Sequence, residues 1–269
     1  MPYRGVLPCL ALLLAFSSLP VHADAPPNIG TPHPKEAAIA SSVQQQSTDR
    51  ATPTLAMLRK KHADIFKMCG PHTRQIALTF DDVPDSRYTP QVLDVLHANG
   101  IKATFFIVGH RAEKHPGIIR RIIREGHAIG NHSYTHPDFR KATPERFRNQ
   151  IIKTERILQA SAGFRPKLIR PPYGEITEPQ IQWARRHGYM IVNWNVDSLD
   201  WKGLSKTQIQ RNVIPATGPG SIILMHAGGG QSSNLQGTVQ ALPGLIHSLK
   251  AKGYKFVTVP RLLHTSERK

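Results

Sequence analysis

From Gln75 onward, short apolar and β-branched runs alternate with longer stretches whose apolar residues recur at helical spacing. The short runs are QIALTF, KATFFIVG, HAIGNH, KLIRPP, MIVNWNV, SIILMH and KFVTVP. Helical spacing falls near residues 89–99, 112–125, 143–160, 177–187, 205–213 and 235–251. Thr143-Pro144-Glu145 opens one of these with a hydroxyl cap and a proline in the first turn. Gly126, Gly163, Gly188 and Gly253 follow helical stretches as stops. Strands that are apolar on both faces and alternate with helices predict an α/β domain with a parallel sheet covered by helices. Seven such strands fit a small, incomplete barrel or an open doubly wound sheet. No G-x-G-x-x-G follows the first strand and there is no P-loop, so a nucleotide-binding reading has no support.

The first residues follow a different pattern. Arg4 precedes an apolar run from Val6 to Leu19, and Val21-His22-Ala23 fits a small-x-Ala cleavage site. Residues 1–23 are therefore predicted to be a signal peptide cut after Ala23, which makes the protein secreted or periplasmic. The run is too short and too interrupted to span a bilayer, so no membrane span is expected after cleavage. Residues 24–53, rich in Ala, Pro, Ser, Thr and Gln, read as a flexible linker. Residues 54–68 carry the pattern of a short amphipathic helix. The predicted organisation is signal peptide 1–23, linker and short helix 24–73, and catalytic domain 74–265.

Composition sharpens this picture in two places. Cleavage removes Cys9 and leaves Cys69 alone, so no internal disulfide is possible and the fold rests on its core. Cleavage also takes one arginine and no acid, leaving 34 Lys+Arg against 18 Asp+Glu, a formal +16. That charge suits anionic envelope polymers. No basic motif interleaved with aromatics points to nucleic acid.

The candidate chemistry sits where strands end, as sites do in parallel α/β folds. The first strand runs into Asp81-Asp82, the third into Asn131-His132, the fourth into Arg170-Pro171-Pro172-Tyr173-Gly174. The fifth ends at Asp197-Ser198-Leu199-Asp200-Trp201 and the sixth at Met225-His226. His132 and His136 are four residues apart, which on a helix puts two imidazoles on one face within reach of one metal ion. Position 133 is Ser, so this is not H-E-x-x-H. Two imidazoles and a carboxylate leave open positions on a Zn²⁺-type ion, where a water loses its proton near pH 7. One of the adjacent aspartates can bind metal while the other acts as base, and Arg170 can hold that base ionised. Asp200 or Asp197 can orient His226 and keep it protonated.

In this order, LTFDDVPD, HSYTH, RPPYG, DSLDW and LMH resemble the five motifs of the polysaccharide deacetylases, the NodB-homology group of carbohydrate esterase family 4. The resemblance spans about residues 74–262. It implies a distorted seven-stranded (β/α) barrel. It also implies removal of N-acetyl groups from N-acetylglucosamine-type sugars with Zn²⁺, or another divalent transition metal such as Co²⁺ or Ni²⁺. Carried over by position, Asp81 matches the catalytic base, and Asp82, His132 and His136 match the metal ligands. Arg170 matches the arginine holding the base, the Tyr173 amide the oxyanion donor and His226 the catalytic acid. Asp200 is the first choice for the partner of His226 and Asp197 the second; Trp201 and Leu224 would line the acetyl pocket.

One position departs from the family pattern. Val83 stands where the family has glycine, so either the loop has an ordinary φ there or it has shifted. His110 and the other scattered histidines read as surface or packing residues, Trp183 and Trp194 as core, and Gly228–Gly230 as a mobile loop. The expected partner is a cell-envelope polysaccharide, peptidoglycan or a chitin-type polymer. An O-acetyl esterase and a non-catalytic glycan-binding protein are the alternatives.

Overall fold

A computed structural model describes residues 53–269; the expected signal peptide and nearly all of the linker lie outside the described residues. The described residues begin with α1 (Leu55–Lys61) and β1 (Phe66–Lys67), then β2 (Gln75–Val83), α2 (Thr89–Ala98), β3 (Thr104–Ile107), α3 (Gly109–Lys114) and α4 (Pro116–Arg124). It continues through β4 (Ala128–Asn131), α5 (Pro144–Ala162), β5 (Leu168–Ile169), α6 (Glu178–Arg186), β6 (Met190–Val192) and β7 (Val196–Asp197). It ends with α7 (Lys206–Val213), β8 (Ile222–His226), α8 (Gln236–Ala251), β9 (Lys255–Phe256) and α9 (Val259–Leu262). The Thr143 hydroxyl accepts from the Arg146 N–H and caps α5 as its sequence predicts. The stretch 112–125, read as one helix, is two: Pro116 opens α4 and separates it from α3.

All named strands pair in parallel, in the order β1-β6-β5-β4-β3-β2-β8-β7, with β9 against β2. The stretch MIVNWNV, read as one strand, is β6 and β7 separated by three residues. Its first half pairs with β5 and its second half with β8, so the ring β2-β3-β4-β5-β6/β7-β8 closes through a bend. This is the distorted barrel that the motif resemblance implied. The doubly wound alternative is excluded. β1 lies beside Ile191 and Val192 of β6, and the chain just after it reaches the start of β8, where the Gly70 N–H donates to the Gly220 carbonyl at 2.8 Å.

Strand alternation sorts the side chains. Ile76, Leu78 and Phe80 of β2, with Ile223 and Met225 of β8, join the core shared with Leu93, Leu96, Leu242 and Leu245 of α2 and α8. Their alternates Ala77 and Ile222 join Phe106, Leu168, Val192 and, from α9, Val259 and Leu262 in an apolar plug inside the ring. Each such Leu, Ile or Phe contributes about 1.5–3 kcal/mol by leaving water. The period of two then fixes the next inward positions. On β2 these are Thr79 and Asp81, and on β8 Leu224 and His226; the Cα atoms of Asp81 and His226 are paired in register. The polar residues therefore stand above the plug, at the C-terminal mouth. Among the described residues, no helix is long and apolar enough to cross a membrane.

Candidate active site

At the mouth, β2 breaks its alternation. Its register against β3 shifts between Phe80 and Val83, and Asp82 has φ of 63°. A bulge of this kind re-aims a side chain, and it brings Asp82 beside Asp81 on the cavity wall. Aspartate tolerates the left-handed region better than most residues. Val83 keeps a negative φ and is fully buried in the outer core. The φ at Val83 is thus ordinary, as in the first reading of this departure, while the register shifts just before it and the Val83–Pro84 peptide is cis.

Asp81 is buried and its Oδ1 accepts from Arg170 Nη1 at 2.8 Å. The same Nη1 donates to Thr79 Oγ1 at 2.8 Å, Nε to the Val192 carbonyl at 3.0 Å and Nη2 to the Asn193 carbonyl at 3.1 Å. The guanidinium lies 4.0 Å from the centre of the Phe106 ring. Phe106 fits only because Gly130 on β4 has no side chain; a Cβ there would come within 2.5 Å of the ring. Arg170 is wholly buried, and burial lowers its pKa while the Asp81 charge opposes that. An ion pair this deep is stable only with its remaining donors satisfied, and those bonds satisfy them.

His132 and His136 do not lie on a helix. They sit on the loop after β4, with Ser133 at φ of 66° and His136 at 59°. The helical expectation for the pair is corrected here: local hydrogen bonds shape the loop instead. Asn131 Oδ1 accepts from the Ser133 N–H at 3.0 Å, and Ser133 Oγ from the His136 N–H at 3.0 Å. His132 Nδ1 donates to the Arg170 carbonyl at 2.8 Å, leaving Nε2 to face Asp82 Oδ1 at 3.8 Å; His136 Nε2 lies 3.4 Å from the same oxygen. Ligand atoms of Asp82, His132 and His136 all lie within 4.8 Å of one another. The set suits a divalent cation: one carboxylate, two imidazoles, and a backbone carbonyl that fixes the His132 tautomer with Nε2 free. Burial, reinforced by neighbouring His136, lowers the His132 pKa to about 3, so its ring is neutral and its lone pair is available.

Across the mouth, His226 Nδ1 donates to Asp200 Oδ1 at 2.8 Å. Asp200 Oδ2 accepts from the His226 N–H at 2.8 Å and from Thr238 Oγ1 on α8 at 2.7 Å. Burial works against a charge on His226, but the Asp200 carboxylate outweighs it, with Asp81 and Asp82 adding to the effect, and the pKa rises to about 9. Asp197, the second candidate for this role, instead accepts the Leu199 N–H at 2.8 Å and shapes its own turn. A cavity of about 570 Å³ joins both sides and is lined by Asp81, Asp82, His132, His136 and His226. Tyr173, Trp194, Asp197, Trp201 and Leu224 also line it. Tyr173 has φ of 59° and is 65% exposed, its ring edge-on to His136; Trp201 is 53% exposed while Leu224 is buried beneath.

Several partners escaped the sequence reading. Thr79 carried a signal, since it is the period-two neighbour of Asp81. Thr238 and Arg111 carried none. His110, read as a surface or packing residue, lines the cavity, as does Trp194, read as core; Trp183 is buried as expected. Gly228–Gly230, read as a mobile loop, form part of the cavity wall and are tied to Arg87 and Arg111.

The profile of the family described as polysaccharide deacetylase matches residues 70–192. A peptidoglycan-N-acetylglucosamine deacetylase of Bacillus cereus is 49% identical over 228 residues, covering 84% of this chain and 82% of that protein. A chitooligosaccharide deacetylase of a Bradyrhizobium species is 33% identical over 217 residues, covering 77% and 97%. A crystal structure of the Bc1960 peptidoglycan N-acetylglucosamine deacetylase superposes with a TM-score of 0.75 at 50% identity, covering 76% of this chain and 95% of that one. The chain belongs to the polysaccharide deacetylase family.

Proposed function

We propose that this protein removes N-acetyl groups from N-acetylglucosamine units of peptidoglycan, releasing acetate. The observation that carries the reading is the pairing across one cavity: Asp81 held by Arg170 on one side, His226 held by Asp200 on the other, with Asp82, His132 and His136 beside them. The names of the Bacillus cereus relative and of the solved Bc1960 structure support peptidoglycan as the polymer.

Asp82, His132 and His136 would hold the metal, with Zn²⁺, Co²⁺ or Ni²⁺ as candidates. When bound, a divalent ion supplies an activated water and a Lewis acid for the acetamide oxygen. Asp81, held in place by Arg170, takes the proton of the attacking water as the C–O bond forms. The Tyr173 backbone N–H donates to the developing oxyanion. His226, protonated because of Asp200, gives its Nε2 proton to the nitrogen as the C–N bond breaks. Trp201 and Leu224 enclose the acetyl methyl. The products are acetate and a glucosamine unit. Export, by cleavage after Ala23, would bring the enzyme to an envelope polymer.

The test is acetate release from peptidoglycan, chitin oligomers and an acetyl ester, after chelation and after Zn²⁺ add-back, with Asp81→Asn as control. Release from peptidoglycan that chelation stops, Zn²⁺ restores and the substitution lowers by roughly 10²–10⁴-fold is expected. Cleavage of the ester alone, or release that chelation leaves untouched, would overturn the reading.

A further inference from the structure

We propose that Arg111 is a positioning residue that sets the orientation of the metal-binding carboxylate of Asp82 by tying its backbone to the segment that follows His226. The inference rests on the metal reading of the site. It begins with the turn that opens α3. Four successive residues of this turn reach segments that come together only in the folded barrel. The Val108 N–H donates to the Val83 carbonyl at 2.8 Å and the Gly109 N–H to the Ser133 carbonyl at 2.9 Å. His110 gives both its N–H, at 3.0 Å, and its Nδ1 proton, at 2.8 Å, to the Tyr134 carbonyl. Arg111 then donates from Nη1 to the Asp82 carbonyl at 3.0 Å and from Nη2 to the Gly229 carbonyl at 2.8 Å.

The Asp82 carbonyl needs such a donor. The bulge and the positive φ at Asp82 take this peptide out of the regular ladder with β3. A residue held in the left-handed region at a cost of about 1 kcal/mol or more persists only where its surroundings over-determine it. Two groups do so here. One is the Arg111 guanidinium. The other is Gly228, pressed so closely against the same carbonyl that an added Cβ would lie 2.0 Å from the oxygen. Because φ, ψ and the side-chain torsion share one Cα, a change in the tilt of that peptide swings the carboxylate away from His132 and His136.

The other end of the clamp is also fixed. Gly229 gives its N–H to Asp85 Oδ2 at 3.4 Å, and Asp85 is bound by Arg87, whose Nη2 also reaches the Gly230 carbonyl at 2.9 Å. Arg111 Nη1 lies 3.9 Å from the same Asp85 carboxylate, which keeps the guanidinium neutralised where it is partly buried. Arg111 therefore joins the metal side of the cavity to the acid side through backbone alone.

The experiment compares wild type, Arg111→Met, Arg111→Lys, Gly228→Ala and the Arg111→Met/Gly228→Ala pair. It reads Zn²⁺ affinity by chelator competition, the Tm of the metal-free protein, and kcat and KM separately. Arg111→Met is expected to weaken Zn²⁺ by about 10–100-fold and to lower kcat in step, with KM and the metal-free Tm near wild type. Arg111→Lys, which can reach one carbonyl, recovers part of the loss. The double variant loses less than the product of the two single effects, because both act on one carbonyl. Unchanged Zn²⁺ affinity in a folded Arg111→Met protein, or a fall in metal-free Tm that accounts for the whole loss, would overturn the proposal. Should Arg111→Met fail to fold, Gly228→Ala with wild-type Zn²⁺ affinity would overturn it. Wild-type protein that binds no Zn²⁺ would instead remove the metal reading beneath it.

Discussion

Two buried carboxylates face each other across the cavity, and they differ in the cation that holds them. Asp81 is paired with an arginine, fixed by four hydrogen bonds and never neutral at working pH. Asp200 is paired with a histidine, which can lose its proton. The same residue type thus takes two roles. Next to a permanent cation, the carboxylate is the group left to accept a proton. Next to a titratable one, it becomes the anchor that keeps its partner charged. Both carboxylates are buried, which strengthens both pairs relative to ones in open water.

The comparison can be broken from either side. The largest effect is expected from Arg170→Met, which leaves Asp81 buried without a counter-charge. Such a loss costs about 3–5 kcal/mol of stability and removes the group that holds the base in place. A fall in kcat/KM of roughly 10³-fold, with a lower Tm, is expected from kinetics and thermal unfolding. Next comes Asp200→Asn. His226 then loses the charge that raises it to about 9. A general acid must be protonated, so activity falls as pH rises through its pKa. The alkaline limb of kcat/KM should move down from near pH 9 towards the ordinary histidine value near 6.5, with a loss at pH 8 of roughly 30-fold.

Smaller changes sharpen the contrast. Thr238→Val keeps the shape of the side chain and removes one of the bonds to Asp200. It should cost about 1 kcal/mol, and kcat/KM should fall no more than about fivefold, with the alkaline limb shifted little. The smallest effect on activity belongs to Val83→Gly. Val83 touches neither pair and packs in the outer core, so kcat per folded molecule should stay near wild type. Its loss of packing should lower stability by roughly 2–4 kcal/mol in denaturant unfolding.

What the chain disclosed beforehand follows from what alternation and motif order can encode. Asp81, Arg170 and His226 were legible because each stands at the end of an apolar strand, and in parallel α/β folds that place is the site. Thr79 could be found by stepping back two residues from Asp81. The bend that divides β6 from β7 was not legible. It arises because the Asn193 peptide is held on one side by the Lys67 carbonyl and on the other by Arg170, and both partners are distant in sequence. The four-residue spacing of His132 and His136 suggested a helix, yet Asn131 and Ser133 bend the chain into a loop that serves the same purpose. The choice between Asp197 and Asp200 lay three residues apart in one motif. It was decided by a turn at Leu199, whose φ of 56° no pattern of apolar residues reports. Arg111 and Thr238 act through backbone and carboxylate oxygens that only the closed barrel brings near them.

The division of labour between the two carboxylates is tested most directly by titrating His226 in the metal-free protein by NMR, against an Asp200→Asn control. An apparent pKa near 9 that drops in the control is the result expected. A wild-type His226 titrating near the ordinary value of about 6.5, unmoved by the substitution, would contradict its assignment as the protonated acid.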